Sequence, residues 1–388
     1  WKYFKKKSKT IFSIFFYIIF ISYSLFLTST MLPYKPPFSV GIFQNSPFNL
    51  FWPLIMFLVY LILSKFCTKE DTIMLVKFSI LIIFFISVFF LISTLNTMLE
   101  KNYFHFYGIH IKAIPFAGGE SVPRSTGISR MCLIVYIFLV LRYFLNKNNK
   151  NYFLLLLITF FGISTIIYQS RLINSIFLIS NCFFVIFYLK KFFYDKRLII
   201  FCLFLPVFLN IGYTVFSQGK YIPLIIGGKY IDIIKTSIIR EQRVWDDQMN
   251  SKDRIFRFSS GRFSDWDKAI KVIKRSPLKG YGAQSDRFFL DGQSVHSSLL
   301  YAYLSGGTMG GIAIILIYIY SVLILLNFYF FKGRKDNHNY IMDVCALIMV
   351  IILLRSLLET SFAVFGVDFL LFTVSLLTLS KAYYTKFN

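Results

Sequence analysis

Acidic side chains are scarce in this sequence: 18 Asp and Glu stand against 42 Lys and Arg among 388 residues, and histidine occurs only 4 times. All charged residues together make up 15%, whereas 56% of the chain is hydrophobic and 20% aromatic, a balance that excludes an ordinary soluble domain. The five cysteines, Cys67, Cys132, Cys182, Cys202 and Cys345, lie in or beside apolar runs with no CxxC spacing. Neither a disulfide framework nor a thiolate metal site is supported by that placement. No Walker sequence, GxSxG elbow or acid-rich metal motif occurs, so neither a metal nor another cofactor is expected.

What is present is hydrocarbon. Apolar runs of spanning length occur at 11–28, 48–65, 72–95, 129–145, 152–168, 172–189, 197–216, 298–331, 341–360 and 363–381. The expected fold is therefore all-α, a polytopic transmembrane helical bundle of about ten spans. It divides into amino-terminal membrane helices (1–216), a large, partly helical polar loop (217–297) and carboxy-terminal membrane helices (298–388). The basic start WKYFKKKSKT leads into the first run with no small-residue cleavage site after it, and is expected to be a retained span.

The net charge of +24 would suit nucleic acid, but the basic residues sit mostly in short connectors between apolar runs, as the positive-inside rule requires. No nucleic-acid partner is expected. With KKKSK in the cytoplasm, the connectors KFCTKED, LNKNNKN, LKKFFYDKR and FKGRKDNHN and the tail KAYYTKFN all fall inside, and all carry Lys or Arg. The connectors 100–129, 169–171 and 217–297 then face outward. The last holds 15 Lys and Arg against 9 Asp and Glu, which suits an anionic ligand or anionic lipid headgroups.

Chemistry is expected in the polar stretch 257–311. Phe263, Trp266, Ile270 and Ile273 recur at spacings of three and four, with Arg262, Asp265, Lys268, Lys271 and Arg275 on other faces. This is an amphipathic helix, capped by Ser259 or Ser260 and ended by Pro277 and Gly280, that lies on the membrane or packs on the bundle. Arg262 at its amino terminus offers an anion site, or is a solvated residue of a capped surface helix. His296 is the only histidine at the edge of the helices that follow the loop, next to a helix broken by the glycine pairs 306–307 and 310–311, which would permit close helix packing or a bend. It can act as a base near neutral pH or as a structural hydrogen-bonding group. Arg171, in the tight turn after the fifth span, can hold a lipid-linked phosphate or snorkel to lipid headgroups. Arg355 and Glu359, one helical turn apart near the outer end of their helix, are expected to pair as structural glue, with a catalytic dyad as the alternative.

In order and spacing, Ser170-Arg171, Arg262 with Trp266, Pro277 with Gly280 and Gly282, His296-Ser297 and Gly307 with Gly310 resemble the O-antigen polymerase and O-antigen ligase (Wzy/WaaL) family of bacterial membrane glycosyltransferases, over residues 170–311. PRSTGISR, with Arg124 and Gly127, is a weaker echo of that family's earlier outer loop. The resemblance implies a GT-C-like protein of the bacterial inner membrane, multi-pass, with its active site facing the periplasm. It implies transfer of a glycan from an undecaprenyl-pyrophosphate carrier to an acceptor hydroxyl, metal-independent and inverting. Arg171 and Arg262 would grip the donor pyrophosphate and His296 would activate the acceptor. Arg124 and Arg287 would touch carrier or glycan, while Tyr281, Trp245 and Trp266 would stack on sugar or simply pack. For a polymerase, donor and acceptor are both carrier-linked repeat units, and a Wzz-type chain-length regulator is a further partner beside membrane lipids. For a ligase the acceptor is lipid A core. A small-solute transporter is the alternative of another class, and would need polar residues spread through the middle of the bundle.

Overall fold

The computed structural model describes residues 48–101, 125–145, 152–167, 171–188, 200, 202–209, 262–290, 294–331 and 340–385. Among them every regular element is helical and no strand is present. The main helices are α1 (Phe48–Lys65), α2 (Lys69–Lys101), α3 (Ser125–Leu145), α4 (Tyr152–Ile167), α5 (Arg171–Tyr188), α6 (Arg262–Arg275), α7 (Ser285–Phe289), α8 (Ser298–Leu326), α9 (Tyr340–Leu358) and α10 (Val367–Thr385). Four stretches are long and apolar enough to cross a membrane: Lys69–Ile92, Gly127–Phe144, Ser298–Tyr329 and Tyr340–Leu358. The expected spans at 11–28 and 197–216 lie wholly or largely outside the described residues, as does most of the polar loop.

The chain divides into two compact units. The first holds Trp1–Val59, Thr214–Tyr318 and Ser356–Gly366, and the second holds Tyr60–Tyr213, Ile319–Arg355 and Val367–Asn388.

In the second unit, α3 is the central helix. Of its membrane-length window 72% is buried, against 28% for α2. The contrast follows from the pattern of each helix. On α2, Val76, Ile80, Ile83, Ser87 and Leu91 recur every three or four residues and are buried, while Met74, Phe78, Leu81, Phe85, Phe89 and Ile92 form an opposite, exposed apolar stripe. In a membrane protein that stripe meets lipid. On α3, Ile128 and Cys132 through Ile137 are almost fully buried on every side, and Tyr136, Phe144, Phe161 and Phe177 form the aromatic core around it. Two polar pairs lie there: Tyr136 bonds Asn181, and the Ser129 hydroxyl donates to the Thr165 carbonyl at 2.7 Å. Thr68 and Asp71 cap α2 reciprocally, the Thr68 N–H donating to Asp71 at 2.7 Å and the Asp71 N–H to the Thr68 hydroxyl at 3.2 Å.

Long-range polar contacts sort the helix ends of this unit. Lys381, near the end of α10, donates to the carbonyls of Leu63 and Cys67, which end α1 and lead into α2. At the other end of α10, Asp368 meets Arg130 of α3 and Arg355 of α9. The carboxy-terminal end of α10 thus lies by the junction of α1 and α2, and its amino-terminal end by the start of α3 and the end of α9.

In the first unit, α8 is not one straight rod. At Gly307, with φ 57° and ψ −153°, the backbone leaves the helical region. The break expected at the glycine pairs falls at Gly307, and the segment before it folds back along the segment after it. A Cβ on Gly310 would lie 3.9 Å from the Cα of Ala302 and against its carbonyl, and one on Gly311 would meet the Tyr303 ring. In a straight helix, eight residues are about 12 Å apart. The part after the break, about 19 residues or roughly 28 Å, still has the length of a span.

Breaking a helix frees carbonyls before the break and N–H groups after it. The segment 277–282 satisfies both. Tyr281 and Gly282 donate their N–H groups to the carbonyls of Leu304 and Ser305, each at 2.8 Å, and the Thr308 N–H donates to the Pro277 carbonyl at 2.8 Å. The proline and the two glycines that end α6 thus form the plug of the α8 break. Gly280 takes a positive φ of 69°, and a Cβ there would lie 2.8 Å from the Ser305 carbonyl.

Candidate active site

All elements of the candidate site belong to the first unit. Helix α6 starts at Arg262 and is amphipathic as expected, burying Ala269 while Phe263 and Ile270 stay exposed. Trp266, one turn in, donates its indole N–H to the Val295 carbonyl at 2.8 Å and stacks edge-on against Phe263. The indole therefore holds α6 against the backbone that carries His296.

That backbone is fixed from a second side. The Asp286 carboxylate accepts the Val295 N–H at 3.2 Å, and its carboxyl is almost fully buried. Burial outweighs that bond and raises its pKa above the ordinary aspartate value of about 3.9. A carboxyl that holds its proton more tightly when folded adds stability at low pH, which is lost as pH rises through the raised value. Asp286→Asn preserves the acceptor and removes the charge. The variant is expected to flatten this decline, which thermal unfolding followed from pH 4 to 8 would show.

His296 sits at φ 51°, a left-handed conformation unusual for a residue with a side chain. Its ring Nδ1 lies 3.1 Å from Oε2 of Glu359, and Nη2 of Arg262 lies 2.8 Å from Oε1 of the same carboxylate. The three side chains keep 16%, 20% and 26% of their surface for His296, Glu359 and Arg262, so the cluster is sheltered yet open. Glu359 follows α9 directly, and the Ser298 hydroxyl donates to the carbonyls of Glu359 and Thr360 at 3.1 and 2.8 Å. An ionised carboxylate only accepts, so the proton between Glu359 and His296 belongs to Nδ1. In the neutral ring Nε2 is then a lone-pair acceptor.

Two of the three expected catalytic residues, His296 and Arg262, are thus gathered on one carboxylate. Arg171 opens α5 in the second unit, and its side chain lies outside the described set, as do Arg124 and Trp245. Of the expected substrate-binding residues, Arg287 is exposed on α7, Tyr281 packs against Phe289 with its hydroxyl donating to the Val272 carbonyl at 3.3 Å, and Trp266 holds Val295. These contacts give Tyr281 and Trp266 structural work in this structure. Glu359, Asp286 and Ser298 have site contacts that the sequence reading did not anticipate. The expected Arg355–Glu359 glue is replaced as the organising contact, since Glu359 holds Arg262 and His296 and Arg355 meets Asp368. A lone carboxylate at the end of an apolar run was the available signal, but its partners lie 97 and 63 positions away. Among the described residues no group of three or more His, Cys, Asp or Glu is placed to hold a metal ion.

Compared with known proteins, the chain matches no family model, no curated protein and no solved structure.

Proposed function

We propose that the chain is a membrane glycosyltransferase of the O-antigen polymerase type, with about ten spans, a GT-C-like bundle and a site on the periplasmic face of the bacterial inner membrane. The observation that supports it best is the Arg262–Glu359–His296 cluster: an oriented imidazole with a guanidinium held beside it. Transfer would run as an in-line displacement. The acceptor hydroxyl gives its proton to His296 Nε2 as its oxygen bonds the anomeric carbon, and the bond from that carbon to the pyrophosphate oxygen breaks with its electron pair leaving on the lipid pyrophosphate. The attack comes from the opposite face, so the linkage inverts.

Glu359 stabilises the imidazolium that results and sets the ring tautomer. Arg262 has five N–H donors, so its bond to Glu359 leaves others for the developing negative charge on the leaving group. The family resemblance assigns Arg171 to the same pyrophosphate and makes Arg124 and Arg287 contacts of carrier or glycan. No metal is needed in this scheme, and a Wzz-type regulator would set chain length.

A deletion strain tests the reading and separates it from the ligase form. Loss of long chains with single-unit lipopolysaccharide retained is the expected result. Loss of every capped lipopolysaccharide would make the chain a ligase, and unchanged lipopolysaccharide would contradict both.

A further inference from the structure

Helix α6 packs through one side. Ala269 is buried there and the Trp266 indole donates to the Val295 carbonyl, while Phe263 and Ile270 stay exposed away from that side. Lys268, Lys271, Lys274 and Arg275 are exposed with them, and the turn that follows adds Lys279 and Leu278, which is 71% exposed. Against these five cations, the exposed residues of 262–279 include one carboxylate, Asp267, which Lys271 meets at 2.7 Å. The face is strongly positive, yet it carries bulky apolar side chains among its charges.

The break in α8 sets the level of this face. The Thr308 N–H and hydroxyl both donate to the Pro277 carbonyl, at 2.8 and 2.9 Å, so Leu278 stands beside the first turn after Gly307. From that turn Met309, Ile312 and Ile315 recur every three residues as exposed apolar side chains, within a stretch apolar enough to cross a membrane. Such a stripe faces lipid. Leu278 lies at the end where the stripe begins, and Lys274, Arg275 and Lys279 are within four residues of it in the chain, at the level where hydrocarbon gives way to lipid phosphates. A soluble anion would match the cations but leave Ile270 and Leu278 in water. A bilayer surface takes both, with apolar side chains among the acyl chains and cations at the headgroups.

We infer that the exposed face of α6, with the turn 277–279, is a docking surface for anionic lipid headgroups of the surrounding membrane. Ile270 and Leu278 enter the acyl boundary, and Lys274, Arg275 and Lys279 meet the headgroup charges. The surface stands independently of the transfer reading, since it uses neither His296 nor any glycan.

Hydrogen–deuterium exchange of the purified full-length protein, in discs of neutral phosphatidylcholine with and without phosphatidylglycerol, tests the inference. The amides of 262–279 are expected to exchange at least about tenfold more slowly with phosphatidylglycerol, because each basic residue near an anionic surface strengthens attachment about fivefold. Those of α3 are expected to be unchanged, in the native protein and in every variant, as the sign of an intact fold. Combining Lys274→Gln, Arg275→Gln and Lys279→Gln is expected to return 262–279 to its rate in phosphatidylcholine alone. Leu278→Gln keeps every charge and is expected to cut the protection at least about threefold. Equal exchange in the two kinds of disc would overturn the inference, and so would slowing that survives the triple substitution. Glycerol phosphate that slows 262–279 equally in detergent, with Leu278→Gln without effect, would also overturn it and assign the face to a soluble anion.

Discussion

Glu359→Gln is expected to lower glycan transfer by about 10³–10⁴-fold while leaving the protein folded in the membrane, although it removes neither the ring nor the shape of the side chain. The reason is the direction of one proton. Glu359 accepts from His296 Nδ1 at 3.1 Å and from Arg262 at 2.8 Å. An amide offers only one acceptor atom, and Arg262 claims it, which turns the NH₂ group toward Nδ1. The ring must then carry its proton on Nε2, where the proposed transfer needs a lone pair. His296→Ala removes the base outright and is expected to cost about 10²–10⁴-fold. The combined variant is expected to be no worse than the more damaged single one, since both act on the same step. Arg262→Ala is expected to lose transfer by both routes, through the leaving group and through release of Glu359. Rates from defined carrier-linked repeat units, with normal membrane insertion checked separately, would show these effects.

Gly307→Ala is expected to be the most damaging single methyl group in the first unit. At φ 57° and ψ −153° the backbone lies where side chains are almost never tolerated. A Cβ would also stand 2.9 Å from the Gly280 nitrogen and nearer still to the Leu278 carbonyl, and both are backbone atoms that cannot swing aside. Strain and overpacking together make a loss of about 3 kcal/mol or more, a large share of the 5–15 kcal/mol that typically holds a domain folded. Because 277–282 fills the break, its displacement would also release Tyr281 and Gly282 from Leu304 and Ser305. Gly127→Ala makes the contrast. It lies in the first turn of α3 with nothing within 4 Å of an added Cβ, and is expected to be neutral or to gain up to about 1 kcal/mol of helix stability. Thermal unfolding of the two variants in one detergent would separate them.

The helical class and the positions of the described spans were legible because apolar length and the 3.6-residue period are local properties. The α2 stripe of Met74, Phe78, Leu81, Phe85, Phe89 and Ile92 can be read from spacing alone. Direction is not local. The run 298–331 is apolar throughout, so nothing in its hydropathy distinguishes a straight span from one that turns back at Gly307; the glycine pairs signalled a bend without its angle. The candidate site divides the same way. Arg262, Trp266 and His296 stood out as polar or titratable residues in a long polar interruption. Glu359 did not, because it follows Arg355 at helical spacing, and a sequence offers that neighbour before any distant one. The partners it takes in the fold depend on how the chain after α9 meets the start of α8, where Ser298 binds the Glu359 and Thr360 carbonyls. Asp286 was hidden for a related reason, since its burial is set by the fold and not by its neighbours in sequence.

The cluster of carboxylate, imidazole and guanidinium is the centre of the account, and reconstitution tests it most directly. Purified protein in liposomes would be given a defined lipid-linked repeat unit and the products resolved by chain length. The expected result is a ladder of longer chains from the native protein, with lipid pyrophosphate released in step, and none from His296→Ala inserted at the same level. Native protein that forms no longer chain, or His296→Ala that forms the same ladder at the same rate, would contradict it.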